Sequence, residues 1–230
     1  MCMCISHTVK CLLFDLDGTL FDTTEAIKRA VEETAVEFHL TIDVDHVISE
    51  TLNMLGGRKS RLNFLIIAFH YGFFSWNHPL RIFRIKKFYE ERFTLYTKKS
   101  ELLPGIKAVL KTFGNFRLAV VTAREREWTE ISLREQGITG YFDVVVTTDD
   151  VEKEKPDPAS ILKAIDLLKA NPEDCLYIGD LPSDIRAGKR AGVKTAAVLT
   201  GLSSREKLEK ESPDFIFETL RELGFYLNPD

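Results

Sequence analysis

The sequence predicts an α/β fold, a parallel sheet covered by helices on both faces, with an all-helical segment inserted between its first and second strands. Three observations lead there. Continuous apolar runs of β-prone residues recur along the chain, as expected of strands buried on both sides. Helical patterns of suitable length separate the later runs, which is the rhythm of a parallel sheet. The stretch from about Thr23 to Lys99 breaks that rhythm and holds no convincing strand.

Taken in order, Val9–Phe14 is the first strand. Ala26–His39 reads as an amphipathic helix, and Asp22 with Glu25 resembles a capping box with Asp in place of Ser or Thr. Three further segments, around Val44–Leu55, Ser60–Tyr71 and Leu80–Tyr96, are helical in period and rich in Phe, Ile and Leu. Gly105–Phe113 follows a Pro-Gly start and leads to the second strand, Phe116–Val121. Glu127–Gln136 is a helix that stops at Gly137, and Phe142–Val146 is the third strand. Pro158–Leu168 opens with a proline, which suits a first helical turn. Cys175–Ile178 is the fourth strand, Ser183–Arg190 a helix ending near Gly192, and Thr195–Leu199 the fifth strand. The expected organisation is a Rossmann-like α/β core made of 1–22 and 100–230, interrupted by a helical cap over 23–99. No internal repeat or low-complexity segment stands out.

The composition is that of an ordinary globular chain. Its 230 residues are 44% hydrophobic and 29% charged, enough to bury a core. A net charge of -4 argues against a polyanion-binding surface, so nucleic acid is not an expected partner. An anionic substrate must then be drawn in by local charge. Of four cysteines, Cys2 and Cys4 lie in a terminal tail, and Cys11 and Cys175 fall inside strand-like runs. That is poor material for a disulfide framework and suggests a reducing compartment. No basic segment followed by a long apolar stretch opens the chain. The longest apolar stretch, near Phe64–Phe74, is too short to span a bilayer and is interrupted by His70. The expectation is a soluble, cytoplasmic protein with no membrane partner, monomer and homodimer both remaining open.

The strongest chemical signal is Phe14-Asp15-Leu16-Asp17-Gly18-Thr19-Leu20, directly after the first strand. Ligands of parallel sheets bind at the carboxyl ends of the strands. Two aspartates one residue apart point the same way if the strand continues. Like charges so placed are costly unless a cation or a shared proton relieves them. Gly18 then permits a sharp turn. An Asp-x-Asp-Gly turn could also be a plain polar strand end, and an EF-hand loop begins the same way, but the rest of that ligand spacing is missing.

Further groups fall just after the later strands: Thr122, Lys155 in Lys155-Pro156-Asp157-Pro158, and Asp180 with Asp184. Singly, each has a bland reading: Thr122 as a helix cap, Lys155 as a surface charge, Asp184 as an exposed helix residue. Together they set a hydroxyl, a cation and two acids at one sheet edge beside Asp15 and Asp17. That constellation suits phosphoryl transfer. An aspartate can serve as nucleophile and form an acyl phosphate. Magnesium wants hard oxygen ligands, which Asp15, Asp180 and the main-chain carbonyl of Asp17 can supply. Lys155, Thr122 and nearby backbone N–H groups can hold phosphoryl oxygens, which leaves Asp17 free for proton transfer.

From Val9 to Leu223 the chain resembles the haloacid dehalogenase-like hydrolases, in the branch with a helical cap after the first motif, and is most similar in flavour to phosphoglycolate phosphatases. The resemblance rests on Asp15-Leu16-Asp17-Gly18-Thr19-Leu20, Thr122, Lys155, and Gly179-Asp180 with Asp184, in that order. It implies Asp15 as nucleophile, Asp17 as acid/base, and magnesium held by Asp15, the Asp17 carbonyl and Asp180, with Asp184 in support. The implied substrate is a small phosphorylated metabolite. One departure bears on its identity: Thr122 is followed by Ala123, where many of these phosphatases carry Asn. Ala123 can offer a phosphoryl group only its backbone N–H. Arg124 reads equally as a replacement for the lost polarity and as a solvated residue.

In the insert, Leu55-Gly56-Gly57-Arg58-Lys59-Ser60-Arg61 joins two helical segments where the family places a substrate-reading loop. Arg58 is the candidate to meet a remote anion, against the bland reading of ordinary surface charge. Phe69, Tyr71, Phe73, Phe74 and Trp76 read as core or subunit contact rather than ligand box. Alternatives are a phosphomutase of the same family, which no residue separates cleanly from a phosphatase, and a non-catalytic regulator that binds a phosphorylated metabolite. A dehalogenase fits less well, because Asp17 is present and a halide needs no acid. A phosphonate hydrolase would want a Schiff-base lysine, for which Lys59 is a weak candidate.

Overall fold

A computed structural model of the chain describes residues 9–44, 47, 80–201 and 203–227. Contacts divide it into two compact units, Met1–Asp22 with Glu101–Asp230, and Thr23–Ser100.

The first unit is built on a six-stranded sheet. Its strands are β1 (Cys11–Phe14), β2 (Arg117–Val121), β3 (Val144–Val146), β4 (Cys175–Gly179), β5 (Lys194–Val198) and β6 (Phe215–Phe217). They lie in the order β3-β2-β1-β4-β5-β6, every pair parallel. β1 is central, with Phe14 in register with Val120 on one side and Ile178 on the other. Successive strand residues face opposite ways, so the sheet feeds two cores. Leu12, Phe14, Val120 and Ile178 pack with Ile106 and Leu110 of α3 (Ile106–Thr112), with Phe113 at its C-cap, and with Leu223 of α8 (Leu220–Leu227). Leu13, Val121 and Tyr177 pack on the other face with Ile161 and Leu168 of α5 (Ala159–Leu168) and Ala187 of α6 (Pro182–Ala191). α4 (Arg126–Glu135) and α7 (Arg205–Lys210) complete this unit's described α-helices. Cys11 and Cys175 are register partners, buried as free thiols, and burial raises both above the usual thiol range.

The α/β class, the parallel sheet and the five anticipated strands are therefore present. β6 was not anticipated: Phe215–Phe217 is a strand through its parallel pairing with β5 at the sheet edge, a relation between segments. The capping box at Asp22 and Glu25 does not form. The Asp22 N–H donates to the Glu101 carbonyl at 2.9 Å inside the α/β unit, so the helix starts later, with Thr23 at its N-cap and no side-chain cap bond. Glu25 pairs instead with Arg29 at 2.7 Å.

The second unit, among its described residues, is helical. α1 (Thr24–Glu37) buries Ala26, Ala30, Val31 and Thr34, the one-sided spacing of an amphipathic helix. It packs against α2 (Leu80–Thr97) through an edge-to-face Phe38–Phe88 contact and an Arg92–Glu33 ion pair at 3.3 Å. Arg58, Lys59 and Arg61, with the aromatic group around Phe69–Trp76, lie outside the described residues. Among the described residues no helix is long and apolar enough to cross a membrane.

Candidate active site

The strand order places a crevice. The chain leaves β1 toward β2 on one side and leaves β4 toward β5 on the other, and such a reversal is where open parallel sheets bind their ligands. Asp15 follows β1 and Asp180 follows β4, so both aspartates stand at the reversal.

Asp15 is 4% exposed, and its N–H still continues the sheet, donating to the Ile178 carbonyl at 2.8 Å. Lys155 reaches it from the segment before α5, Nζ to Oδ1 at 2.6 Å. The same ammonium lies 2.7 Å from Asp184 Oδ1 and 3.0 Å from the Tyr177 hydroxyl. Asp184 is fully buried in the first turn of α6, where its Oδ2 accepts the Leu181 N–H at 3.0 Å. Lys155 is therefore no surface charge, nor is Asp184 an exposed helix residue. Asp15, Asp180 and Asp184 each offer a carboxylate oxygen within 4.8 Å of the others.

Three buried carboxylates against one ammonium leave this cluster short of positive charge. Burial pushes Asp15 up to about 7; Lys155 pulls against that, while Asp184 and Asp17 add to it. Burial, then Asp184 and Asp15, hold Asp180 well above the usual carboxylate range. Burial by itself would lower Lys155, but Asp15 and Asp184 outweigh it and keep the ammonium charged. One oxygen of Asp180, Oδ1, is buried with no hydrogen-bond partner among the described residues. An orphaned oxygen on one of three clustered carboxylates is what a hard divalent cation would satisfy, so the donor set fits magnesium.

The backbone leaves Asp180 little freedom. Gly18 has φ +74°, and a Cβ there would stand 2.4 Å from Asp180 Oδ2. A Cβ on Gly201 would stand 1.8 Å from the same oxygen. The Thr200 hydroxyl donates to the Gly18 carbonyl at 2.7 Å and ties the loop after β5 to the turn after Asp17.

Thr122 follows β2, 3% exposed, and its N–H donates to the Val146 carbonyl at 3.0 Å. It is not a helix cap: the N-cap of α4 is Glu125. Its Oγ1 accepts the Arg124 N–H at 3.1 Å. Ala123 is half-way between these two, with only its backbone to offer. The Arg124 side chain is 9% exposed and donates from Nε to both carboxylate oxygens of Asp17, at 3.0 and 2.9 Å. Of the two readings of Arg124, the solvated one is excluded.

Asp15, Lys155, Asp180 and Asp184 thus come together, and Arg124 links Thr122 to Asp17; Arg58 lies outside the described residues. Sequence reasoning missed Tyr177, Thr200 and Gly201. A tyrosine inside an otherwise apolar strand, three residues before Asp180, was the available signal for the first. A Thr-Gly pair beyond the fifth strand was the signal for the others.

The family model for haloacid dehalogenase-like hydrolases matches residues 12–198. The phosphoglycolate phosphatase of Aquifex aeolicus is 35% identical over 207 residues, covering 90% of this chain and 91% of its own. The pyrophosphatase PpaX of Bacillus anthracis is 34% identical over 226 residues, covering 96% and 97%. A solved haloacid dehalogenase-like hydrolase of Streptococcus pneumoniae superposes with a TM-score of 0.78 at 20% identity, covering 96% of this chain and all of that one, a likeness of fold. The chain belongs to the haloacid dehalogenase-like hydrolases, and it is an enzyme of their phosphatase type.

Proposed function

We propose that this haloacid dehalogenase-like phosphatase hydrolyses a small phosphorylated metabolite in the manner of a phosphoglycolate phosphatase, with magnesium as cofactor and Asp15 as nucleophile. The observation that carries the reading is the convergence of Lys155, Asp180 and Asp184 on Asp15 at the reversal of strand order. Asp15, Asp180 and Asp184, with the main-chain carbonyl of Asp17, would hold the ion. Bound there, it supplies the positive charge the carboxylates lack and draws negative charge off the phosphoryl oxygens.

Asp15 attacks phosphorus, and the bond to the ester oxygen breaks with its electron pair. Asp17 gives that oxygen a proton. A water molecule, losing its proton to Asp17, then attacks the same phosphorus; the bond to Asp15 breaks and inorganic phosphate leaves. Throughout, the Thr122 hydroxyl, the Ala123 N–H and Lys155 hold the phosphoryl oxygens as charge shifts among them. The Arg124 N–H already fills one acceptor position of Thr122 Oγ1, which leaves the hydroxyl hydrogen for the substrate. Arg58 is the candidate to read the remote end of the substrate.

The test is phosphate release against a panel containing 2-phosphoglycolate, pyrophosphate, sugar phosphates and p-nitrophenyl phosphate, with magnesium and with chelator. Turnover that needs magnesium and vanishes in Asp15→Asn is the expected result. Full activity in chelator after dialysis would remove the scheme. Pyrophosphate is a second reading, favoured by the 34% identical PpaX relative. A phosphomutase would show itself by releasing little phosphate unless a sugar bisphosphate were added.

A further inference from the structure

We propose that Arg124 is a positioning residue for Asp17, holding its carboxylate out of the metal-binding group so that it stays available for proton transfer. This rests on the reading of Asp17 as the acid/base.

The crowding of the site poses the problem Arg124 solves. Asp17 is two residues from Asp15, just beyond the end of β1. A fourth carboxylate in such company has two poor options. It can be drawn onto the same cation, where it is lost to proton transfer, or it can be repelled into varied rotamers. The carboxylates that could share a cation are Asp15, Asp180 and Asp184, whereas the Asp17 carboxylate is taken up by Arg124.

The guanidinium is itself fixed, which is what allows it to position another group. Nε donates to both oxygens of Asp17, and Nη2 donates to Oδ1 as well. Nη1 donates at 3.2 Å to the Oγ of Ser132, a buried residue of α4. The guanidinium carbon lies 5.4 Å from the centroid of Phe21, a fully buried ring four residues beyond Asp17. The side chain is thus anchored to a helix and a core ring on one side and grips the carboxylate on the other. Planar, forked donors match a carboxylate in a way that an ammonium cannot. The Arg124 N–H meanwhile holds Thr122 Oγ1. One residue therefore orients the phosphate-binding hydroxyl through its backbone and the acid/base through its side chain. Freezing a reacting group in this way lowers the entropic part of the barrier.

A double-mutant cycle on the full-length, magnesium-loaded enzyme tests this. Asp17→Asn, Arg124→Ala, Arg124→Lys and Asp17→Asn with Arg124→Ala are compared with wild type by kcat/KM, which covers steps up to departure of the leaving group. The substrates are the alkyl phosphate that turns over best in the panel and p-nitrophenyl phosphate, whose leaving group needs little protonation. Asp17→Asn is expected to lose about 10²–10⁴-fold on the alkyl ester and much less on the aryl ester. Arg124→Ala should show the same preference with a loss of about tenfold or more on the alkyl ester, Arg124→Lys falling between. In the double variant Arg124→Ala should cost nearly nothing further, because the group it acts through is gone. An equal loss on both esters, or losses that multiply in the double variant, would overturn the inference and leave Arg124 a structural residue. If Arg124→Ala is insoluble, Arg124→Lys alone and combined with Asp17→Asn carries the same comparison. If Asp17→Asn itself shows no preference between the esters, the acid/base reading fails first, and the role proposed for Arg124 falls with it.

Discussion

Replacing Lys155 by Met should expose how much of the folded state depends on neutralising the acidic cluster. The Lys155 side chain is 9% exposed, and its ammonium lies 2.6 Å from Asp15 Oδ1 and 2.7 Å from Asp184 Oδ1. Met keeps much of the length and removes the charge. Breaking a buried pair by deleting one partner costs about 3–5 kcal/mol, because the other charge is left uncompensated. Asp15 already stands at about 7, so without Lys155 the cluster can take up protons and recover part of the loss. That favours the lower end, about 3 kcal/mol, or a fall in Tm of roughly 6–12 °C for a chain of this size. A divalent ion binding the same carboxylates would replace the lost charge. The assay is thermal unfolding at pH 7.5 in chelator and then across a magnesium titration. The magnesium-induced rise in Tm should be several degrees larger for Lys155→Met than for wild type. A chelated variant within about 2 °C of wild type, or equal rises for both proteins, would refute the account of Lys155 as the internal counter-charge.

Tyr177→Phe removes only a hydroxyl, but that hydroxyl lies 3.0 Å from Lys155 Nζ and 3.2 Å from Asp184 Oδ1. Stability should drop by about 1–2 kcal/mol, with a fall in kcat measured by steady-state kinetics; unchanged kcat would mean that Lys155 needs no support from β4. Gly201→Ala would set a Cβ 1.8 Å from Asp180 Oδ2. Magnesium affinity, read by calorimetry, should fall while far-ultraviolet circular dichroism stays unchanged. Magnesium stabilisation should also depend on pH. Asp15 is raised to about 7 in the folded state and Asp180 is raised in the same direction, so in chelator the folded protein binds more protons than the unfolded chain from the usual carboxylate range up through about 7. Their contribution therefore weakens as pH rises through that window. Magnesium needs the ionised form, so its effect on Tm should grow from pH 5.5 to 7.5; a shift independent of pH would contradict this.

The sequence by itself determined the α/β class, five of the six strands and the residues at the carboxyl ends of the strands. It could do so because those features are local. A strand buried on both faces must be apolar along its length, and Asp15, Thr122 and Asp180 are each marked by following such a run. What it could not determine are relations between distant segments. Whether Lys155 and Asp184 are solvated or buried depends on which strands neighbour β1, and only the order β3-β2-β1-β4-β5-β6 brings them to Asp15. β6 is a strand by virtue of its pairing with β5, which no local pattern declares. Glu25 lost its expected cap because the Asp22 backbone is bound to Glu101, far along the chain. Arg124 stood evenly between solvent and site when read as sequence. Tertiary packing decided it, because 107 residues separate it from Asp17 and the ion pair that buries it forms only once β1 and β2 lie side by side.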